Sequence, residues 1–217
     1  MADFFIDIDK AKIGSEVFFN NASTDADSYE WNFGDGGYSH DANPVHIYKA
    51  VGRYSVTLSA FSGNKVSKST LTLRVVEPTL LIIEVLEYFD EYPVENASVI
   101  LYPSLGDWDN RTRPIVEGFT DDGGIVVFAD LQTRVYYVDV WEQFHDNFTL
   151  RNDDASLIAT DEIIPDKVQW FIAWVDYYPI KNSGGEKKLV IKKIEKKDLS
   201  NSPIDYETLL EKSVQKK

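Results

Sequence analysis

The chain has 217 residues and a net charge of −14, because 36 aspartates and glutamates outnumber 22 lysines and arginines. This excess of negative charge repels phosphate backbones and anionic bilayer surfaces, so it argues against nucleic-acid binding and against adsorption to an acidic membrane. Hydrophobic residues make up 43% of the chain and aromatic residues 13%, which is too much for a disordered chain and enough to fill the cores of two domains.

The chain contains no cysteine, which excludes disulfides, thiolate zinc sites and cysteine nucleophiles. No run approaches the roughly 18 apolar residues that a membrane-spanning helix needs. The first residues lead directly into a strand pattern, so we expect any signal peptide to have been removed or never to have been present. A lipid anchor lost together with a signal peptide is compatible with this pattern.

The first third of the chain alternates apolar and polar residues with a period of two, as half-buried strands do. The clearest strand holds Tyr29, Trp31 and Phe33 on one face, and the glycines after it allow a tight turn. Further short strands are predicted near residues 4–8, 17–19, 45–47, 54–60 and 71–75. Short strands separated by turn signals indicate a two-sheet β-sandwich.

Three separated blocks of this region resemble a known family. The sequence Trp31-Asn32-Phe33-Gly34-Asp35-Gly36 is similar to the Trp-Asp-Phe-Gly-Asp-Gly hallmark of PKD domains, the immunoglobulin-like modules of cell-surface and secreted proteins. Asn32 replaces the usual Asp but keeps a side chain suited to a turn. Residues 43–48 and 52–58 match the rest of the family pattern. The resemblance implies structural roles for Trp31, Phe33, Gly34, Asp35, Gly36, His46, Tyr48, Gly52 and Tyr54.

The proline-containing residues 77–79 are the predicted boundary between a first domain at 1–77 and a second at 80–198. The second begins with a nearly continuous apolar run at 80–86, which indicates a strand buried on both faces. Blocks between residues 80 and 142 resemble the carboxypeptidase-regulatory, transthyretin-like sandwich, although Arg134 stands where that family has a glycine. Additional strands are predicted at 169–178 and 188–194.

The last segment, residues 199–217, has a helical pattern. Ser202 is the predicted N-cap and Pro203 suits the first turn, while apolar residues from Tyr206 to Val214 fall on one face. We expect this short amphipathic helix to dock on the second domain or on a partner, because it is too short to be stable alone. The predicted fold class is all-β: two tandem β-sandwiches, first immunoglobulin-like and then transthyretin-like, with a C-terminal helix.

The most suggestive binding feature is the loop predicted around Trp108, because loops on rigid sandwiches often carry recognition. Trp108 lies between Asp107 and Asp109, so its ring could stack on a sugar while the carboxylates accept hydrogen bonds from sugar hydroxyls. Trp141 belongs to a second aromatic group and is a further candidate. The competing interpretation is that each tryptophan folds inward as local core.

The sequence gives little support to catalysis. It contains three histidines, His40, His46 and His145, but no Gly-x-Ser-x-Gly elbow, no phosphate-cradling glycine loop and no His-Glu-x-x-His helix. His46 belongs to the PKD pattern and is predicted to be structural. Paired aspartates lie beside turn residues, where Asp is favoured for local hydrogen bonds. We predict no catalytic residues.

Calcium is the one metal that the sequence suggests, because oxygen-bearing loop residues suit it. Some PKD-like domains hold a calcium ion between the loop before the tryptophan strand and the far hairpin. That resemblance points to Asp25 or Asp27 together with Asn64, although these residues form no dense ligand loop. No other cofactor is predicted.

These observations favour a non-catalytic protein of the bacterial cell surface, outer membrane or secreted fraction. Because extracellular vertebrate immunoglobulin-like domains often use disulfides, the absence of cysteine favours a bacterial source. We expect the protein to bind an envelope protein or a surface glycan, or to act as a spacer in a surface complex. The alternative is an accessory fragment of a larger secreted hydrolase, since both modules resemble ones that are appended to such enzymes.

Overall fold

The computed structural model describes residues 1–88, 90–147, 159–177, 195–199 and 204–214. The chain divides into two compact units, Met1–Pro78 and Thr79–Lys217. Apart from two short helices, the regular elements of the described residues are all β-strands, so the fold is all-β as predicted. In the described part of the chain, no helix is long and apolar enough to cross a membrane.

The first unit contains two sheets. One has the order β1-β3-β6 and the other the order β2-β8-β7-β4-β5. All neighbouring strands are antiparallel except β2 and β8. The strands are β1 (Phe4–Ile6), β2 (Lys10–Lys12), β3 (Glu16–Asn21), β4 (Ser28–Asn32), β5 (Tyr38–Ser39), β6 (Val45–Ile47), β7 (Gly52–Ser62) and β8 (Lys65–Val76).

A chain of aromatic contacts fills the space between these two sheets. Trp31 is fully buried at its centre, with the ring centroids of Phe4 and Phe19 at 5.0 and 5.7 Å. Phe33 continues the chain, at 5.1 Å from Phe19 and stacked on His46 at 4.1 Å. The alternation of side chains along the strands therefore produces the aromatic core that the sequence pattern indicates.

The second unit is built from strands that pair in the order β11-β10-β13-β14-β15-β9-β12-β17, with β16 beside β15. Its elements are β9 (Leu80–Glu87), β10 (Ser98–Tyr102), α1 (Leu105–Asn110), β11 (Val116–Phe119), β12 (Ile125–Ala129), β13 (Tyr137–Glu142), β14 (His145–Asp146), β15 (Val168–Tyr177), β16 (Glu195–Lys196), α2 (Tyr206–Glu211) and β17 (Ser213–Val214). The strand predicted at 188–194 lies outside the described residues.

The core of the second unit lies between the β10–β13 part and the β9–β12–β15 part of this strand array. Leu81 and Ile83 of β9 pack there with Val99 of β10 and Val138 of β13. The neighbouring β9 residues Leu80 and Ile82 face the opposite way and contact helix α2. Strand β9 is therefore buried on both faces, which explains its continuous apolar run.

The C-terminal helix differs from its prediction at both ends. Asp205 is the N-cap, and its side chain accepts a hydrogen bond from the Thr208 amide at 3.2 Å; the predicted cap Ser202 and Pro203 lie outside the described residues. The helix ends at Glu211 because the chain then extends as β17, which pairs in parallel with Val127 and Phe128. The helix nevertheless docks on the second unit, as expected.

Candidate binding site

The turn after β4 uses its polar side chains to hold the backbone. Asp35 Oδ1 accepts a hydrogen bond from the Gly37 amide at 2.9 Å, and its Oδ2 lies 2.7 Å from His46 Nε2. Burial raises the pKa of Asp35, but the hydrogen bonds from His46 and Gly37 lower it more, so the pKa is below its usual value. His46 is thus a structural partner of the turn rather than an exposed reactive group.

Two tyrosines complete this corner of the first unit. The buried Tyr48 hydroxyl donates to the Phe33 carbonyl at 3.0 Å, and burial raises the pKa of that hydroxyl. The Tyr54 hydroxyl donates to the Ala50 carbonyl at 2.7 Å, which is the backbone tie seen in tyrosine corners. A Cβ atom added to Gly52 would lie 3.4 Å from the Tyr54 ring. Phe33, His46, Tyr48 and Tyr54 are thus joined by successive ring contacts, and Asp35 is hydrogen-bonded to His46.

Trp108 is not a surface residue. It is 1% exposed, lies in helix α1, and donates its indole N–H to the Val138 carbonyl at 3.0 Å. Its ring packs with Tyr102, Ile100 and Tyr137 on the outer face of β10 and β13. The hypothesis that Trp108 stacks on a ligand is therefore wrong, and the competing interpretation, local core, is correct for this residue.

Asp107 is also buried, and its carboxylate is engaged in hydrogen bonds with neighbouring residues. It is 3% exposed, and its carboxylate accepts hydrogen bonds from Ser104 at 2.5 Å, from Thr112 at 3.1 Å and from the Arg113 guanidinium at 2.7 and 3.1 Å. The Ser104 hydroxyl and then Arg113 lower the pKa of Asp107. Asp109 is exposed, but without a ring beside it the predicted site around Trp108 does not form.

Trp141, unlike Trp108, is a surface residue. It is 58% exposed and lies on the outer face of β13, directly across from Ser98 of β10. Ser98 is in turn opposite Phe119 of β11, which is 62% exposed. The two aromatic side chains thus flank Ser98 on one sheet face, about 10 Å apart at two strand spacings. We call this row, formed by Phe119, Ser98 and Trp141, the aromatic face.

The floor of the aromatic face is polar. Ser98 is only 7% exposed between its two large neighbours, and its hydroxyl donates to Glu117 Oε1 at 2.6 Å. Glu117 is two residues before Phe119 on β11 and therefore points to the same side of the sheet. Two exposed rings with hydrogen-bonding groups between them are suited to bind a ligand with apolar faces and polar edges.

Helix α1 explains why only half of this sheet face is open. Its Trp108 covers Ile100, Tyr102 and Tyr137, and Arg111 at its C-cap places Nε 3.4 Å from the buried Asp139. The remaining half is the aromatic face.

A second polar array fixes the hairpin that follows Trp141. Tyr92 Oη is 2.7 Å from His145 Nε2, and His145 Nδ1 is 2.6 Å from Glu142 Oε2, which also accepts from the Phe144 amide. Burial raises the pKa of Glu142, but the hydrogen bonds from His145 and Phe144 lower it more, so it lies below its usual value. The array connects the β13–β14 hairpin, which contains Trp141, to the segment after β9.

The proposed calcium ligands are only partly brought together. Asp27 Oδ2 accepts a hydrogen bond from the Gly63 amide at 3.1 Å, so this carboxylate does reach the hairpin that contains Asn64. Asp25 lies in a left-handed turn with φ of 55°. Within the described ranges, no group of three or more His, Cys, Asp or Glu side chains is arranged to hold a metal. The calcium site stays a prediction, with Asp27 already engaged in a backbone contact.

The sequence matches the family model described as "PKD domain" over residues 4–76. Residues 4–76 form a PKD domain. A 68-residue stretch is 41% identical to collagenase ColQ1 of Bacillus cereus (strain Q1) and represents 29% of this chain and 7% of the collagenase. The chain thus spans a small fraction of this curated relative.

Solved structures add further similarities. The PKD1 domain of Vibrio anguillarum Epp is 28% identical, with a TM-score of 0.31, and covers 36% of this chain and 94% of its own. The group B streptococcus pilus 2b backbone protein is 9% identical, with a TM-score of 0.37, and the match covers 81% of this chain and 98% of the pilus protein. The PKD domain is a non-catalytic accessory module, and the family match ends before the second unit.

The sequence predicts only one of the two rings of the aromatic face. Trp141 is among the binding residues that the sequence predicts, whereas Phe119 is not. Strand alternation through Val116, Glu117, Gly118 and Phe119 would have placed Glu117 and Phe119 on one face. Their position across β10 from the strand of Trp141 depends on pairing between segments far apart in the chain, which composition does not reveal.

Proposed function

We propose that this is a non-catalytic, extracytoplasmic bacterial protein whose second unit binds a glycan through the aromatic face. The observation that carries the proposal is the row of Phe119, Ser98 and Trp141, in which two largely exposed rings flank a hydrogen-bonded floor. Aromatic side chains with an apolar face and nearby polar groups suit sugar rings, which present C–H groups on their faces and hydroxyls at their edges. No chemical transformation is required of these residues.

The PKD domain supports the class of protein rather than the ligand. One curated protein that it resembles is a collagenase, of which this chain corresponds to only 7%. We therefore retain the alternative that the chain is an accessory part of a larger secreted hydrolase. We also assign residues 80–198 to a transthyretin-like sandwich, on the sequence blocks between 80 and 142. The proposed location, at the cell surface or in the secreted fraction, rests on the resemblance of residues 4–76 to PKD domains.

A glycan array provides the test. The wild-type protein should bind a subset of neutral or amino-bearing glycans, and Trp141→Ala and Phe119→Ala should each abolish those signals. Tyr38→Ala is the matched control, because Tyr38 is a 61% exposed aromatic residue of the PKD domain, outside the aromatic face. Retention of all signals by Trp141→Ala, or their loss with Tyr38→Ala, would refute the proposal.

A protein partner is the second candidate, because the PKD domain has an exposed apolar sheet face. Phe5, Phe18, Val45 and Ile47 are each 43–56% exposed on the β1-β3-β6 sheet. Phe18 lies opposite Val45, and Ile47 opposite Glu16, while the side-chain amide of Asn20 donates a hydrogen bond to Asp7, just after β1, at 3.2 Å. Such a patch with acidic neighbours fits an apolar, basic protein surface. Phe18→Ser should reduce capture of such a partner without changing glycan binding.

A further inference from the structure

A carboxylate, that of Glu117, is hydrogen-bonded to the floor residue Ser98 of the aromatic face, and this contact restricts the class of ligand that the face can bind. Resting on the proposed glycan-binding function, we infer that the aromatic face selects sugars with a free, protonated amino group. The slot between Phe119 and Trp141, next to the Glu117 carboxylate that is hydrogen-bonded to Ser98, receives the ammonium group.

The position of Glu117 follows from strand register and one short hydrogen bond. Ser98 is the residue of β10 that lies opposite both Phe119 and Trp141. Because the Ser98 hydroxyl donates to Glu117 Oε1 at 2.6 Å, the carboxylate reaches the same row as the two rings. Directly opposed side chains have Cβ atoms about 5 Å apart, so a group that sits over Ser98 contacts the carboxylate and both rings.

The chemistry of these groups favours a cation. The faces of Phe and Trp rings carry negative electrostatic potential and attract ammonium groups. A carboxylate only accepts hydrogen bonds, whereas an ammonium has three donors, and a charge-assisted hydrogen bond is about twice as strong as a neutral one. The Ser98 hydroxyl proton is already directed to Glu117, so the floor presents mainly acceptors. A ligand that supplies donors and positive charge complements this surface.

Other charged groups on the same sheet do not reverse this preference. Asp139 lies in the adjacent row, opposite Ile100 on β10, as Glu117 does on the other side. Arg111 brings one positive charge to within 3.4 Å of Asp139, so the two largely offset each other. The net charge of −14 adds long-range repulsion of acidic polysaccharides. The expected order of affinity is amino sugar, neutral sugar, acidic sugar.

Titration calorimetry with defined oligosaccharides tests the inference. The probes are a tetramer of glucosamine, its fully N-acetylated form and a glucuronate oligomer, in mildly acidic buffer that keeps the amines protonated. The glucosamine tetramer should bind at least about tenfold more tightly than the N-acetylated tetramer, because a hydrogen bond to a charged group is lost on acetylation. Glu117→Gln should remove this preference, so that the two tetramers bind with similar affinity.

Two controls make the outcome specific. Glu95→Gln removes the same charge from an exposed position outside the aromatic face and should preserve the preference. Choline offers an ammonium without a sugar ring, and binding as tight as that of the glucosamine tetramer would overturn the assignment to a sugar. Equal affinity for both tetramers, or a preference that survives in Glu117→Gln, would overturn the inference while the proposed function stands. Absence of binding by any glycan, or binding unaffected by Trp141→Ala, would refute the proposed function itself.

Discussion

Replacing Trp108 and Trp141 by alanine should have opposite consequences. Trp108 is 1% exposed and its indole N–H bonds the Val138 carbonyl at 3.0 Å. Its removal leaves a large cavity, while the Val138 carbonyl keeps its hydrogen bond from the Asn147 side-chain amide at 2.8 Å. Trp108→Ala should therefore lower the free energy of unfolding of the second unit by about 3–5 kcal/mol, mainly through the cavity. Trp141 is 58% exposed, and Trp141→Ala should change that free energy by less than about 1 kcal/mol.

The effect on ligand binding should be reversed. Trp141→Ala removes a central aromatic contact and should cost about 2 kcal/mol of binding free energy, or about 30-fold in Kd. Trp108→Ala leaves both exposed rings in place, so the fraction that remains folded should bind with nearly unchanged affinity. Trp108→Phe, which keeps a ring but loses the N–H donor, should lose an intermediate amount of stability.

Urea denaturation followed by circular dichroism measures the stabilities, and calorimetry with a glycan retained on the array measures affinity. Hydrogen exchange with mass spectrometry over strands β10 and β13 assigns the stability loss to the second unit rather than to the PKD domain. A Trp108→Ala protein with wild-type stability and lost binding would refute the reasoning, because Trp108 would then have to lie at the surface.

Three further predictions concern the rest of the chain. Gly34 has φ of +84°, and a Cβ there would lie 2.9 Å from the Ser55 carbonyl oxygen. Gly34→Ala should therefore lower the free energy of unfolding, measured by urea denaturation, by more than about 2 kcal/mol. Gly36→Ala, with φ of +94° and no close neighbour, should cost only about 1–2 kcal/mol. The lowered pKa of Asp35 means that its stabilisation is present above about pH 4 and is lost as the pH falls through its folded pKa. Acid titration should therefore destabilise the wild type more steeply than Asp35→Asn, and parallel curves would contradict this. Leu209→Ala should destabilise the second unit by roughly 1–2 kcal/mol and increase binding of an apolar dye, because Leu209 covers the outer face of β9; unchanged dye binding would argue against that cover.

The PKD domain was predictable because its signals are local. The turn after Trp31 is held by contacts within a few residues, such as the Gly37 amide on Asp35 and the Gly34 amide on Asn32. These short-range hydrogen bonds depend on the types of residues that are neighbours in the chain, which the sequence shows directly. The apolar run of β9 was equally informative, since burial on both faces leaves no room for polar residues.

The binding surface was less predictable because it depends on which elements cover which strands. A six-residue helix turns Trp108 inward and leaves Trp141 open, although both tryptophans lie beside acidic residues in the sequence. Likewise, the helical spacing of the C-terminal residues did not show that Ser213 and Val214 leave the helix to pair with β12. In both cases tertiary contacts decide between two locally acceptable conformations.

Oxidative footprinting of the tryptophans, read by mass spectrometry with and without a glycan retained on the array, tests the binding surface most directly. Trp141 should oxidise faster than Trp31 and Trp108, which are 0% and 1% exposed, and saturating glycan should slow its oxidation selectively. Rapid oxidation of Trp108, or equal oxidation of Trp141 with and without the bound glycan, would contradict the assignment of the aromatic face as the binding surface.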